Sequence, residues 1–370
     1  MDDYFNIKPL NKIVTPRPSS GVLSVKKHLC ISFLTLPDSY LSSSTKYRSS
    51  SDNGTWGTDA ISVFIIQGFA NFGPKKMVLF VLLLLGYIII LGGNSIIIFA
   101  LTDLKLKSPM FFFLYNLSFV DILYTTTTIP KMLSGLLSDV NTVSVPGCFL
   151  QMQFVIQLGI TSRAILTVMA YDRYVAICNP LRYSAIMTLP VRLLLIAGAW
   201  SFGAFCTLPA TSMSFQRSYC GPNVVNHGWC DPSSVRRLVC GDVTVDNIVS
   251  LSCAVVALST TGILILTSYI LIGVSVSKMV VAQRLKAFGT CAAHLTVVSI
   301  SYSSASCVYI SYRVRIIVSV LYAALTPFLN PMIYSLKNKE LRESIGRNLM
   351  RFRPAAVLPN KDVNTVTTSS

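Results

Sequence analysis

The chain has 370 residues and a formal net charge of +16; 52% of its residues are hydrophobic, only 12% are charged, and the mean hydropathy is +0.59. So apolar a chain of this length excludes a soluble globular protein and points to repeated passage through a membrane. The excess of Lys and Arg fits anionic lipid beside the membrane, with no nucleic-acid partner, since no basic-aromatic module accompanies it.

In chain order, residues 1–50 carry Ser and Thr clusters such as Ser42-Ser43-Ser44-Thr45 and read as a disordered extension or a gene-model artefact, with no cleavable signal peptide. Asn53-Gly54-Thr55 is an N-glycosylation acceptor, which works only on the lumenal side of a membrane. Windows of about twenty apolar residues then fall at 77–101, 110–134, 148–171, 191–211, 247–275, 287–310 and 316–335. Runs such as Val81-Leu82-Leu83-Leu84-Leu85 do not alternate, which argues for helices over barrel strands. After the last window, Leu341, Ile345, Leu349 and Phe352 share one helical face, with Arg342, Arg347 and Arg351 among them, the pattern of an amphipathic helix lying on a membrane surface. The expected organisation is an extracellular tail over 1–76, a seven-helix membrane domain over 77–335, and a cytoplasmic amphipathic helix and tail over 336–370.

Seven spans put the two ends of the chain on opposite sides. Lys105, Lys107, Arg173, Arg182, Arg192, Lys278, Arg284, Lys286, Lys337, Lys339 and Arg342 share one side, which the positive-inside rule makes cytoplasmic. Lys75 and Lys76 argue weakly the other way. Cys178, Cys206, Cys253, Cys291 and Cys307 lie in or beside spans and read as small apolar side chains. Cys148, Cys220, Cys230 and Cys240 fall on the outer, oxidising side, where four cysteines allow three pairings.

The most informative string runs from Met169-Ala170-Tyr171-Asp172-Arg173-Tyr174-Val175-Ala176-Ile177-Cys178 to Asn179-Pro180-Leu181-Arg182-Tyr183, an acid-base pair at the inner end of a long apolar segment. Asp121 is a carboxylate within the second span, where it must be paired, hydrated, ion-bound or neutral. Pro331 removes a backbone hydrogen bond from the seventh span. No Ser-His-Asp set, metal-ligand cluster or phosphate loop is present, so an enzyme is not expected, and His28, His227 and His294 are scattered.

These strings, with Gly93-Asn94, Ser108-Pro109-Met110-Phe111-Phe112-Phe113-Leu114, Lys286-Ala287-Phe288-Gly289-Thr290-Cys291-Ala292-Ala293-His294 and Pro327-Phe328-Leu329-Asn330-Pro331-Met332-Ile333-Tyr334, resemble olfactory receptors, a branch of the rhodopsin-like G-protein-coupled receptors. The resemblance covers about Asn53 to Arg353, and Trp229-Cys230-Asp231-Pro232 resembles the fish-type branch. It implies an all-α seven-transmembrane bundle in the plasma membrane of olfactory cilia, N-terminus outside. It implies a small-molecule odorant outside and, inside, a heterotrimeric G protein of the stimulatory type that raises cyclic AMP. Disulfides Cys148–Cys230 and Cys220–Cys240 are implied in the same way.

Residue roles follow from the resemblance. Asn94, Asp121 and Asn330 make a polar network that holds either a sodium ion, the one cofactor expected, or only hydrogen bonds. Asp172 holds Arg173 at rest and releases it to the G protein, with Tyr174, Tyr269, Asn330, Pro331 and Tyr334 in the switch. Met152, Val155, Ile156, Gly159 and Ile160 share a face of the third span that lines the odorant pocket; Cys253, Ala257, Tyr302, Ala305, Ser306 and Tyr309 stand opposite. Plain helix packing would give the same face. The inventory suits a small, mostly apolar ligand, and no buried carboxylate waits for an amine.

Two departures stand out. Tyr309 to Ile317 leaves little room for a third outer loop, so either the sixth helix unwinds early or the seventh starts late. Arg163 is a cation midway along the third span, beside Ser162 where many relatives carry glutamate; it is expected to reach Asp121, or else marks a damaged copy. The rival readings are therefore a non-signalling receptor copy and a transporter or channel, although no inverted repeat supports the second.

Overall fold

The computed structural model describes residues 61–69, 73–102, 108–138, 141–220, 222–310, 315–337 and 339–351. The expectations for residues 1–50, Asn53, Lys105, Lys107, Phe352 and the polar C-terminal tail lie outside them, as do those for the side chains of Ser306, Tyr309, Lys286, Lys337, Lys339, Leu349 and Arg351.

The elements in order are β1 (Val63–Ile66), α1 (Lys75–Leu101), α2 (Pro109–Leu137), β2 (Thr142–Ser144), α3 (Val145–Cys178), α4 (Tyr183–Ile186), α5 (Leu189–Phe215), β3 (Val224–Val225), α6 (Pro232–Arg236), α7 (Thr244–Ser277), α8 (Val281–Ile310), α9 (Arg315–Lys337) and α10 (Lys339–Arg351). The seven long helices α1, α2, α3, α5, α7, α8 and α9 coincide with the seven expected spans and overrun most of their ends. Among the described residues, four of them, α1, α3, α5 and α7, are by length and composition apolar enough to cross a membrane. α8 runs to Ile310 and α9 begins at Arg315, so neither expected alternative, an early end to the sixth helix or a late start to the seventh, is seen among the described residues; residues 311–314 between them lie outside that set.

Local sequence explains the helix starts. α2, α3 and α5 each begin with an extended Ser or Thr followed within two residues by proline: Ser108-Pro109, Ser144-Val145-Pro146 and Thr188-Leu189-Pro190. Proline costs nothing in the first turn, where the N–H has no helical acceptor. At α3 the Ser144 hydroxyl accepts from the Gly147 N–H at 3.2 Å, a cap contributing about 1 kcal/mol.

The helices close into a ring in which α1 packs on α2 and α9, α9 on α8, and α5 on α7, while α3 runs through the centre in contact with α2, α5, α7 and α8. Between apolar helices in lipid, close backbone approach and hydrogen bonds replace the hydrophobic drive. Gly203 illustrates it: a Cβ there would overlap Thr161 Oγ1 and stand 3.0 Å from the Gln157 carbonyl oxygen, so glycine lets α5 reach α3. Apolar side chains that would be a liability in water stay exposed on the outer faces, among them Leu82 and Ile88 on α1 and Leu264 and Ile270 on α7. α10 docks on the end of α1, where buried Ser344 donates to the Ala100 carbonyl at 3.2 Å and Leu341 is fully buried.

At one end of the bundle β1 pairs antiparallel with β2 and parallel with β3, in the order β2-β1-β3. Phe64 and Ile66 of β1 face inward onto Phe149, Met152 and Val225. Both disulfides, Cys148–Cys230 and Cys220–Cys240, are at this end. They are the two pairs that the resemblance implied.

Candidate functional site

Below the disulfide cap, α3, α5 and α7 enclose a cavity of about 410 Å³. Cys230, bonded to Cys148 at the start of α3, carries the connecting chain across its mouth, and the Gln151 side chain accepts from the Cys230 N–H at 3.2 Å. The next residue, Asp231, caps α6 by accepting from the Ser234 N–H at 3.1 Å, and Arg236 at the end of α6 reaches Ser250 of α7.

Of the expected pocket residues, Met152, Val155, Ile156, Gly159 and Ile160 on α3 all line this cavity, and so do Cys253, Ala257 and Ala305. Tyr302 does not: its hydroxyl donates to Thr261 Oγ1 on α7 at 2.7 Å and so ties α8 to α7. The α5 wall, Cys206, Thr207, Ala210 and Thr211, was not anticipated; nor were Tyr124, Trp229 or Arg163. Helical periodicity from Cys206 to Ala210 and from Thr207 to Thr211 is visible in the sequence, but nothing there says that this face meets α3.

Arg163 does not pair with Asp121, contrary to expectation. Its Nη1 donates to the Gly159 carbonyl at 3.0 Å, one turn back on the same helix. Side chains on a helix lean toward its N-terminus, and Gly159 has no side chain to block that path. Asp121 instead accepts from Asn330 Nδ2 at 2.6 Å.

Asn94 has a task that Pro331 creates. A proline at 331 has no N–H for the carbonyl of residue 327; Asn94 Nδ2 fills the vacancy, donating to the Pro327 oxygen at 3.1 Å and to Ile90 at 3.0 Å. Gly93 makes room for the ring, since a Cβ there would lie 3.1 Å from Pro331 Cγ. Gly93-Asn94 and Asn330-Pro331 are thus two halves of one contact. Asn94 therefore neighbours the expected network through α9 and does not itself bond Asp121. The side-chain oxygens of Asn94 and Asn330 are both buried without a hydrogen-bond partner.

At the other end of α3, Asp172 Oδ2 accepts from Arg173 at 2.6 Å in an ion pair that is almost wholly buried. Tyr183 of α4 donates to the second carboxylate oxygen at 2.8 Å. Burial, then the Asp172 charge, push the Tyr183 phenol well above its ordinary range, so it remains a donor at any physiological pH. Tyr174, half-buried, packs with Tyr269 around Ile272, Val276 and Cys291. Tyr269 is hydrogen-bonded to His294 Nδ1 at 2.8 Å, and His294 Nε2 lies 2.9 Å from the Leu166 carbonyl, so α7, α8 and α3 are joined through one imidazole. Tyr334 is buried and its hydroxyl has no partner; it and Tyr269 do not bond each other.

With a cavity at one end of the central helix and a closed acid-base pair at the other, the chain can be set beside sequences it is similar to. The family model for olfactory receptors matches residues 83–351. This chain belongs to the olfactory receptor family. It is 39% identical to human Olfactory receptor 10J4 over 301 residues, 79% of this chain and 96% of that receptor. Human Olfactory receptor 13D1 is 40% identical, covering 79% and 87%, and mouse Olfactory receptor 1165 is 38% identical, covering 78% and 94%. The chain is accordingly a membrane protein with the seven-helix fold, an odorant receptor of a family that couples to G proteins.

Proposed function

We propose that this olfactory receptor takes small odorants into the cavity between α3, α5 and α7 and passes the signal along α3 to a stimulatory G protein that raises cyclic AMP. The single observation that carries the reading is that cavity and ion pair lie on the same central helix. The disulfide end would face outside, with 1–76 as the extracellular tail, 77–335 as the receptor domain and 336–370 in the cytoplasm. Asn53 would be glycosylated and the olfactory cilium would be the site of action. Binding and coupling, without catalysis, are the whole activity proposed.

The closed Asp172–Arg173 pair and a Tyr334 hydroxyl that makes no hydrogen bond to Tyr269 support a resting arrangement. A ligand that prefers the released arrangement shifts the population by its difference in affinity for the two. Asp121 with the oxygens of Asn94 and Asn330 is a hard, all-oxygen donor set suited to a sodium ion. These three residues would hold it, and an ion there would neutralise the buried carboxylate.

The test is a cyclic-AMP reporter in cells expressing the full chain, with surface staining, over a broad odorant panel. An odorant-evoked rise that disappears in Arg173→Ala, with surface protein unchanged, supports the reading. Ligand flux without a cyclic-AMP change would favour a transporter, and silence at normal surface level a non-signalling copy.

A further inference from the structure

We infer that the cavity selects odorants that donate a hydrogen bond, aliphatic alcohols above all, because the α5 hydroxyls of Thr207, Thr211 and Ser214 face it as acceptors. The inference deepens the odorant reading above and rests on it.

Position comes first. Thr207, Thr211 and Ser214 stand four and three residues apart, which stacks them on one face of α5. All three are buried and all three line the cavity. Phe215 packs edge-on against Phe149 beside the disulfide cap, so Ser214 lies near the mouth. Thr207, seven residues back along the helix, is about 10 Å deeper at 1.5 Å per residue.

Donor and acceptor capacity comes second. A hydroxyl has one proton to give and two lone pairs to receive with. Here each proton goes to the backbone of α5 itself: Thr207 donates to the Gly203 carbonyl at 2.9 Å, Thr211 to the Thr207 carbonyl at 3.1 Å and Ser214 to the Ala210 carbonyl at 2.9 Å. Thr207 also accepts from Gln153 of α3 at 2.8 Å, which holds its proton along the helix. Among the described residues nothing donates to the Thr211 or Ser214 hydroxyl oxygen.

This asymmetry discriminates between ligands. An odorant hydroxyl adds a bond to the wall. An odorant with only an acceptor must first turn a threonine or serine proton away from its carbonyl, which exchanges one bond for another with no net gain. Ile160 of α3 and Ala257 of α7 pack with Cys206 of α5, so at the depth of Thr207 the facing walls are apolar and the polar atom of a ligand is directed to α5. Arg163 lines the same cavity and is a donor, with Nη1 on the Gly159 carbonyl; a receptor that read carbonyl odorants through it would show the opposite preference. One neutral hydrogen bond corresponds to about a tenfold difference in affinity.

The experiment uses the full-length receptor in lipid nanodiscs and in reporter cells, probed with straight-chain alcohols from butanol to nonanol, the aldehydes of the same length and the methyl ethers. Expected are thermal stabilisation and cyclic-AMP responses at concentrations about tenfold lower for an alcohol than for its aldehyde or ether. Thr211→Val, which keeps the volume and removes the hydroxyl, should lower that ratio, and adding Thr207→Val and Ser214→Ala should bring it to about one. Thr211→Ser, which restores the acceptor, should retain it. The ratio is taken within each variant, so it is insensitive to expression level. Equal potency of alcohol and ether in the natural chain, a preference for aldehydes, or an alcohol preference that survives the triple change overturns the inference and leaves the odorant reading standing. No stabilisation by any alcohol also overturns it, and a broad odorant panel on the same nanodiscs then decides whether the odorant reading falls with it.

Discussion

At the disulfide end, two covalent bonds, a three-stranded sheet and the Arg217–Asp246 ion pair at 2.7 Å fix the connecting chain over the cavity. At the Arg173 end, by contrast, the polar bonds among the described residues are all non-covalent: the Asp172–Arg173 ion pair within α3, the Tyr183 hydroxyl of α4 on Asp172, and His294 bridging α8 to α3 and α7. A rigid mouth keeps the cavity formed before ligand arrives, which lowers the ordering cost of binding. A loosely latched opposite end lets two arrangements lie within reach of a ligand's binding energy. The same chain therefore spends stability where shape matters and withholds it where movement matters.

The sharpest way to break this contrast is at the cap. Cys148–Cys230 closes a sequence separation of 82 residues and Cys220–Cys240 one of 20. Chain entropy then gives roughly 4.5 kcal/mol for the first bond and roughly 3 for the second. Replacing Cys148 and Cys230 with serine is expected to remove most protein from the cell surface, and the Cys220, Cys240 pair to remove less, both read by surface staining and by melting of purified receptor. Normal surface levels in the first variant would mean that the sheet and the buried cluster around Phe64 hold the cap without it.

At the opposite end, Asp172→Asn leaves the Arg173 charge buried beside a neutral amide, a loss of roughly 3 kcal/mol from the latched form. The expected outcome is inverse to the cap variants: basal cyclic AMP rises on the order of several-fold while surface staining holds. Unchanged basal signal would place the latch elsewhere, with Tyr269 and His294 the next residues to alter.

Helix packing between the two ends gives an intermediate case. Gly203→Leu forces a side chain into Thr161 and the Gln157 carbonyl, an overpacking that costs about 1–3 kcal/mol. Melting of purified receptor should fall, and because α5 is also a cavity wall, odorant potency should fall with it. A melting temperature equal to the natural chain's would show that α5 moves off α3 at little cost.

How much of this was legible beforehand follows from what each feature leaves in the sequence. The seven helices were readable because a helix crossing lipid must satisfy its own backbone and show apolar side chains over its whole length. That same uniformity hides which face meets which neighbour: α1 is apolar all round, so no stripe points to the bundle. Hence the α3 face of the cavity was identified through resemblance, while Cys206, Thr207 and Thr211 of α5 went unnoticed. β1 was missed for a related reason. Val63-Phe64-Ile65-Ile66 is apolar at every position, and its period of two exists only in the burial, with Phe64 and Ile66 inward. Arg163 was noticed as an anomaly but assigned the wrong neighbour, because charge alone suggested Asp121 and only the missing side chain at Gly159 shows where the guanidinium goes. The Asn94 contact with the Pro327 carbonyl was out of reach in another way, since it depends on two helices more than two hundred residues apart in sequence.

The smallest effect is the most discriminating for the latch. Tyr183→Phe removes one hydroxyl from Asp172 and leaves the ion pair intact, a change of about 1 kcal/mol. Because that phenol is held protonated by burial and by the Asp172 charge, the hydrogen bond is lost at every physiological pH alike, and the variant's basal signal should be raised slightly and without pH dependence. If Tyr183 acts by holding the carboxylate against Arg173, its effect must vanish once the carboxylate is gone. The double variant Tyr183→Phe, Asp172→Asn should then signal no more than Asp172→Asn alone, a coupling that a double-mutant cycle reads directly. Additive increases would show instead that α4 restrains the Arg173 end through its own packing, and that the latch has two independent parts.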